Sequence, residues 1–177
     1  MPKFADIKQM TIAYYAVDIS WTSFENWLES HKDLGVDLDP IFQRGYVWTQ
    51  LQKTQYVEFI LRGGKSGKDI YWNCPHWMKW GRKGSEKKPI TIVDGKQRLS
   101  AVLDFLENKI PTYGAYYKEY TDPVFLGVTM FRFHVNDLTD EADVLRWYIE
   151  LNTGGTAHTQ EEINKVKNLL NTKKGGV

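Results

Sequence analysis

Sulfur ligands are nearly missing from this chain. Cys74 is the only cysteine in 177 residues, which excludes an internal disulfide and a thiolate cluster for structural zinc. The four histidines, His31, His76, His134 and His158, fall at no metal-ligand spacing. Long apolar runs are absent as well. No stretch approaches the roughly 18 apolar residues of a membrane span, and the opening MPKFADIKQM has no signal-peptide character, so a soluble protein of the reducing cytoplasm is expected. Excess charge is lacking too: at a net +1, the surface as a whole is not a nucleic-acid footprint. There is no internal repeat and no low-complexity tract.

What is present is a chain with 42% hydrophobic and 14% aromatic residues, enough for one domain with a real core. That domain is expected over residues 1–170, with 171–177 as a flexible tail. Residues 10–17, MTIAYYAV, are apolar and β-rich and predict a strand. Thr22 and Glu25 have capping-box spacing ahead of a short helix through Trp27 and Leu28, and Thr49 and Gln52 repeat it ahead of a helix carrying Val57, Ile60 and Leu61. Strands are expected around Ile70–Trp72 and at Ile90–Val93, and residues 128–135 alternate with Thr129, Phe131, Phe133 and Val135 on one face. Thr139 and then Thr159 with Glu162 are expected to cap two last helices, one through Trp147 and Tyr148, the other through Val166 and Leu169. Strands and helices mix without a regular βαβ rhythm, which predicts an α+β fold.

Two regions concentrate charge or polar groups. From Arg62 to Lys88 there are eight cations against Asp69 and Glu86, interleaved with aromatic residues. Trp77, Lys79, Trp80, Arg82 and Lys83 are candidates for nucleic-acid binding, since rings beside cations stack on bases and pair with phosphates; a solvated basic loop has the same composition. The second region is ITIVDGKQRLSAVLDFL, residues 90–106, where a strand runs directly into a helix through Asp94, Gly95, Lys96, Gln97 and Arg98. A helix start offers unpaired N–H groups and a partial positive charge. Gly95 would let the backbone approach an anion, Lys96 and Arg98 would add cationic side chains, and Asp94 would hold a divalent metal or orient a nucleophile. Asp94 as a plain helix cap explains the same stretch. Gln43 and Arg44, set among apolar residues in IFQRGYVW, either find structural partners or form another wall of the anion site. Asn152, in LNTGGT, either cradles a ligand with the following glycines or turns the chain between helices.

In this order, FQRGYVW, a strand ending in VDGKQRL, and LNTGGT followed by EEI resemble the DGQQR-motif family typified by the N-terminal GmrS-like half of GmrSD type IV restriction enzymes. The resemblance spans about residues 42–170 and implies a ParB/sulfiredoxin-like fold, a small mixed sheet with flanking helices. It implies that Asp94, Gly95, Gln97 and Arg98 serve a site of nucleotide binding and hydrolysis, with Gln43 and Arg44 close by; the ligand expected there is a nucleoside triphosphate with Mg2+. The chain departs from the motif at Lys96, where the family has glutamine. GmrSD enzymes also continue into an HNH nuclease domain, whose histidine constellation this sequence lacks; DNA cleavage by the chain alone is not expected, and it looks like the short members carried by phages and other mobile elements. Three readings remain open: a nucleoside-triphosphate-binding or hydrolysing domain in phage DNA metabolism or defence, a non-catalytic module for DNA, RNA or a protein such as a separate nuclease, and a phosphotransferase acting on a small molecule or modified base.

Overall fold

A computed structural model of the protein describes residues 2–7, 9–11, 14–79, 88–124, 129–153 and 160–174. In chain order its elements are β1 (Tyr15–Ser20), α1 (Trp21–Ser30), β2 (Val36–Asp37), α2 (Gln50–Leu61), β3 (Asp69–Asn73), β4 (Ile90–Asp94), α3 (Lys96–Leu106), β5 (Met130–Asn136), α4 (Glu141–Thr153) and α5 (Gln160–Lys174). The strands form one sheet in the order β1-β5-β3-β4-β2. Pairing alternates across it: β1–β5 and β3–β4 are antiparallel, β5–β3 and β4–β2 parallel. The fold is therefore α+β, with a small mixed sheet flanked by helices.

The alternation in β5 sets the layers. Phe131, Phe133 and Val135 point to one face, where they meet Trp21 and Phe24 of α1, Val57 and Ile60 of α2 and Leu99, Val102 and Phe105 of α3. A second apolar cluster covers the β4 end of the other face: Val93 and Phe42 pack with Val144, Leu145, Trp147 and Tyr148 of α4 and Val166 of α5. Between Tyr71 and Trp72 the β3–β4 register shifts by one residue, so Tyr71 stands opposite Asp94 and Trp72 opposite Ile92.

Helix starts follow local chemistry only in part. Thr49 and Gln52 form the expected reciprocal box, with the Gln52 amide donating to Thr49 Oγ1 at 3.2 Å and the Thr49 amide to Gln52 Oε1 at 2.8 Å. The first strand sits later than expected, and α1 is capped by Ser20, whose Oγ accepts from the Ser23 amide, rather than by Thr22. The reason is tertiary: Ser20 is the last residue paired with β5, and the Trp21 amide bonds Thr129 O at 2.9 Å, so the chain leaves the sheet there. At α4 the cap is Asp140, whose Oδ1 accepts from the Ala142 amide, not Thr139. Helix α5 continues through Lys174, so residues 171–174 are helical rather than tail. Thr159 lies outside the described residues, as do Gly154 and Gly155.

Asn73 ties α4 to the sheet. Its Oδ1 accepts from the Leu138 amide and its Nδ2 donates to Leu138 O, both at 2.9 Å, in a buried setting just before α4. Asn73→Ala should lower stability by about 2–3 kcal/mol, since two buried backbone groups lose their partner; a chemical-denaturation midpoint unchanged from wild type would show that the pair contributes nothing.

Candidate functional site

Where β4 becomes α3, backbone crowding dictates the residue. Gly95 occupies the N-cap position with φ +100, a conformation other residues adopt only with strain, and a Cβ there would lie 2.5 Å from Ile70 Cδ1. The helix therefore starts pressed against β3 and without a side-chain cap. Asp94 is not the cap: its Oδ2 accepts from Arg98 Nη2 at 2.6 Å, one turn into the helix. The amides of Lys96, Gln97 and Arg98 have no acceptor among the described residues, as expected for the first turn of an uncapped helix.

These groups open onto a cavity of about 420 Å³. The α3 start forms one wall, the Gln43–Arg44 segment and Trp48 a second, and Tyr148, Leu151 and Asn152 of α4 a third. Every residue assigned from sequence to the nucleotide site thus lines a single cavity. Trp48, Tyr148 and Leu151 were not among those candidates. An apolar residue gives no local sign of whether it faces a core or a cavity, although Tyr148 and Asn152, four apart, do share a helix face.

Contact lines do not make all of them binders. Gln97 is buried and fully engaged: Oε1 accepts from the Val47 and Trp48 amides at 3.1 and 3.2 Å, and Nε2 donates to Gly45 O at 2.9 Å. Gln43 Nε2 donates to Ile92 O at 2.7 Å. Lys96 is only 4% exposed, and its ammonium is paired with Asp39, donates to Arg44 O at 3.0 Å and lies 4.4 Å from the centre of the Tyr46 ring. Burial, and then the Asp39 carboxylate, push the Tyr46 phenol above its ordinary pKa, so the ring beside Lys96 stays neutral. The ammonium expected to meet phosphate is instead committed to the 39–46 segment. Gln43, Lys96 and Gln97 build the wall; Arg98, Asp94 and the α3 amides are what the wall presents.

Arg98 donates one of its five N–H groups to Asp94, and its Nε is buried with no acceptor among the described residues. Asn152 uses Nδ2 to bond Tyr148 O at 2.7 Å, one turn back in α4. Among the described residues Asp94 is the cavity's one carboxylate, and no three His, Cys, Asp or Glu side chains group as a metal site. Of the nucleic-acid candidates, Trp77 lies in a short 3₁₀ turn, half-buried, with its ring 4.7 Å from that of Tyr15 and edge-on to it; it is packed rather than offered to a base. Lys79 is exposed, and Trp80, Arg82 and Lys83 lie outside the described residues. No helix among the described residues is long and apolar enough to cross a membrane.

A family model for the N-terminal domain of the GmrSD restriction endonuclease matches residues 24–123. The chain belongs to the GmrSD N-terminal domain family. The match runs from within α1 through α3, with the Gln43–Arg44 segment and the DGKQR stretch, while β1 precedes it and β5, α4 and α5 lie beyond it. It is shorter than the span of about 42–170 suggested by the three motifs, since LNTGGT is outside it. No curated protein and no solved structure matches the chain.

Gln97→Ala should lower stability by about 2–4 kcal/mol, because two amides and a carbonyl of the 45–48 loop lose a side-chain partner at once. Thermal unfolding checks it; a melting temperature equal to wild type would mean that water replaces the glutamine without loss.

Proposed function

We propose that the cavity at the start of α3 binds a nucleoside triphosphate, and that this binding serves restriction-related DNA metabolism or defence. The second part rests on the family, named for a restriction endonuclease. The first rests on one observation above all: unpaired amides and the largely unpartnered guanidinium of Arg98 converge on a single cavity whose other walls carry Trp48, Tyr148 and Leu151. Donors of this kind suit phosphate oxygens, and the rings and leucine suit the base.

In this reading Arg98 neutralises phosphate charge, and its ion pair with Asp94 keeps the fork aimed before the ligand arrives. The α3 amides cradle the phosphate that Gly95 allows to come close. Asp94 keeps Oδ1, the oxygen not bonded to Arg98, to orient an attacking water. A lone carboxylate fits Mg2+ only as an ion that enters on the triphosphate, held by Asp94 and phosphate oxygens, where it would offset phosphate charge. Release of inorganic phosphate without an acceptor separates hydrolysis from phosphoryl transfer.

Titration calorimetry with ATP, GTP, CTP and UTP, each with Mg2+, should detect binding of at least one; no heat at millimolar ligand sinks the proposal. Arg98→Lys should weaken binding tenfold or more, because a point charge replaces a planar fork. Asp94→Asn should cut turnover about a hundredfold. Its melting temperature should barely move, because a partly exposed ion pair contributes only about 0–1 kcal/mol. Wild-type affinity and turnover in both variants would assign the Asp94–Arg98 pair to structure alone. A DNA partner through the basic segment is tested by changing Lys79, Arg82 and Lys83 together to Ala, which should reduce the slope of log K against log salt by up to about 2.7; an unchanged slope removes that segment from the interface.

A further inference from the structure

A second group of chemically matched side chains lies on the sheet face away from α1 to α3, outside the cavity. Asp69 of β3, His134 of β5 and Tyr14, just ahead of β1, form one hydrogen-bonded chain. His134 Nε2 is 2.6 Å from Asp69 Oδ1, and its Nδ1 is hydrogen-bonded to the Tyr14 hydroxyl. A carboxylate cannot donate, so Nε2 carries the hydrogen, and in the tautomer that this fixes Nδ1 turns a lone pair toward the phenol. Tyr14 O–H therefore donates to a base that a carboxylate holds in the correct tautomer. This is the order of roles in a hydroxyl nucleophile activated by an adjacent general base.

The surroundings fix the imidazole and leave the phenol accessible. The Tyr71 ring stacks on His134 at 4.6 Å and 13°, and the Tyr14 ring lies 5.7 Å from it at 24°. Ala16 is the β1 residue opposite His134, and its small side chain leaves the face open. The His134 side chain is 13% exposed whereas Tyr14 is 50% exposed. Arg132, in register with Asp69, holds Asp18 through Nε and Nη2 at 2.8 and 2.9 Å, which leaves Nη1 as a positive group on the same face.

We propose that Tyr14 is a nucleophile toward phosphorus, with His134 as its general base, Asp69 as the positioning residue, and a phosphate ester or anhydride as the substrate class. In the step, the Tyr14 Oη–P bond forms as the P–O bond to the leaving group breaks; the phenol proton passes to His134 Nδ1, and the leaving oxygen departs with its electron pair. Phosphorus is favoured because the Arg132 guanidinium, in register with Asp69 and interacting electrostatically with Tyr14, puts a cation on the same face, where it would offset phosphoryl charge. None of these residues lines the α3 cavity, so the inference stands apart from nucleotide binding there.

The test treats the full chain with an alkyl fluorophosphonate, whose P–F bond breaks as the tyrosyl ester forms, and follows each tyrosine by peptide mass spectrometry. Tyr14 should be modified at least tenfold faster than Tyr113, which at 58% is the more exposed residue. His134→Gln and Asp69→Asn should each slow Tyr14 tenfold or more while the Tyr113 rate holds. The Tyr113 rate and circular dichroism report on folding in every sample, and Asp69→Asn, at a half-exposed side chain, keeps the test valid should His134→Gln unfold. Equal rates at Tyr14 and Tyr113, or a Tyr14 rate that ignores Asp69→Asn in folded protein, would overturn the proposal.

Discussion

There is no room for a side chain where β4 turns into α3, and most of the site follows from that close approach. Gly95 sits against Ile70, so the first turn of α3 is pinned to the middle of the sheet and its amides all point the same way. A larger residue would have to push the helix off β3 or distort a backbone already at positive φ. Because the helix is held there, Lys96 and Gln97 leave its first turn toward the 39–48 segment, and Arg98 leaves it toward Asp94. One contact between a glycine and an isoleucine thus sets the direction of three neighbouring polar side chains.

Within the DGKQR stretch the labour is divided by burial. Lys96 and Gln97 are both buried, and their polar atoms are spent on backbone groups and one carboxylate of a neighbouring loop, which is how buried polar groups avoid their desolvation penalty. Asp94 and Arg98 stay partly exposed and hold each other. Lys96 is accommodated by the same loop: its ammonium donates to the Arg44 carbonyl and is offset by Asp39 and the Tyr46 ring.

Features written in neighbouring residues could be read in the sequence. The Thr49–Gln52 box, the alternating face of β5 and the strand-to-helix change at Asp94 each depend on spacing alone. That Gln43, Asp94 and Arg98 line one cavity matches the placement that the family resemblance implies, while Asn152 reads in sequence as either a ligand cradle or a turn. The clamp made by Gln97 was not anticipated, because its partners are main-chain groups 50 residues away whose side chains carry no signal. The caps at Ser20 and Asp140 were missed for a different reason: each competes with an equally good threonine within two residues, and the point at which the chain leaves the sheet decides between them. Tyr14 and His134 are 120 residues apart, and only the antiparallel register of β1 on β5 brings them together.

The short length of β2 has an effect that reaches beyond the ligand. Only Val36 and Asp37 pair with β4, at Ile90 and Thr91, so the outer edge of β4 is unpaired by strand from Ile92 onward. Gln43 covers part of that edge by donating to the Ile92 carbonyl, as a strand would. The 43–48 segment is therefore a guard against intermolecular β-pairing as well as a cavity wall. A change that swings this loop outward to admit a larger ligand would uncover the Ile92 carbonyl at the sheet edge, where a second chain could pair.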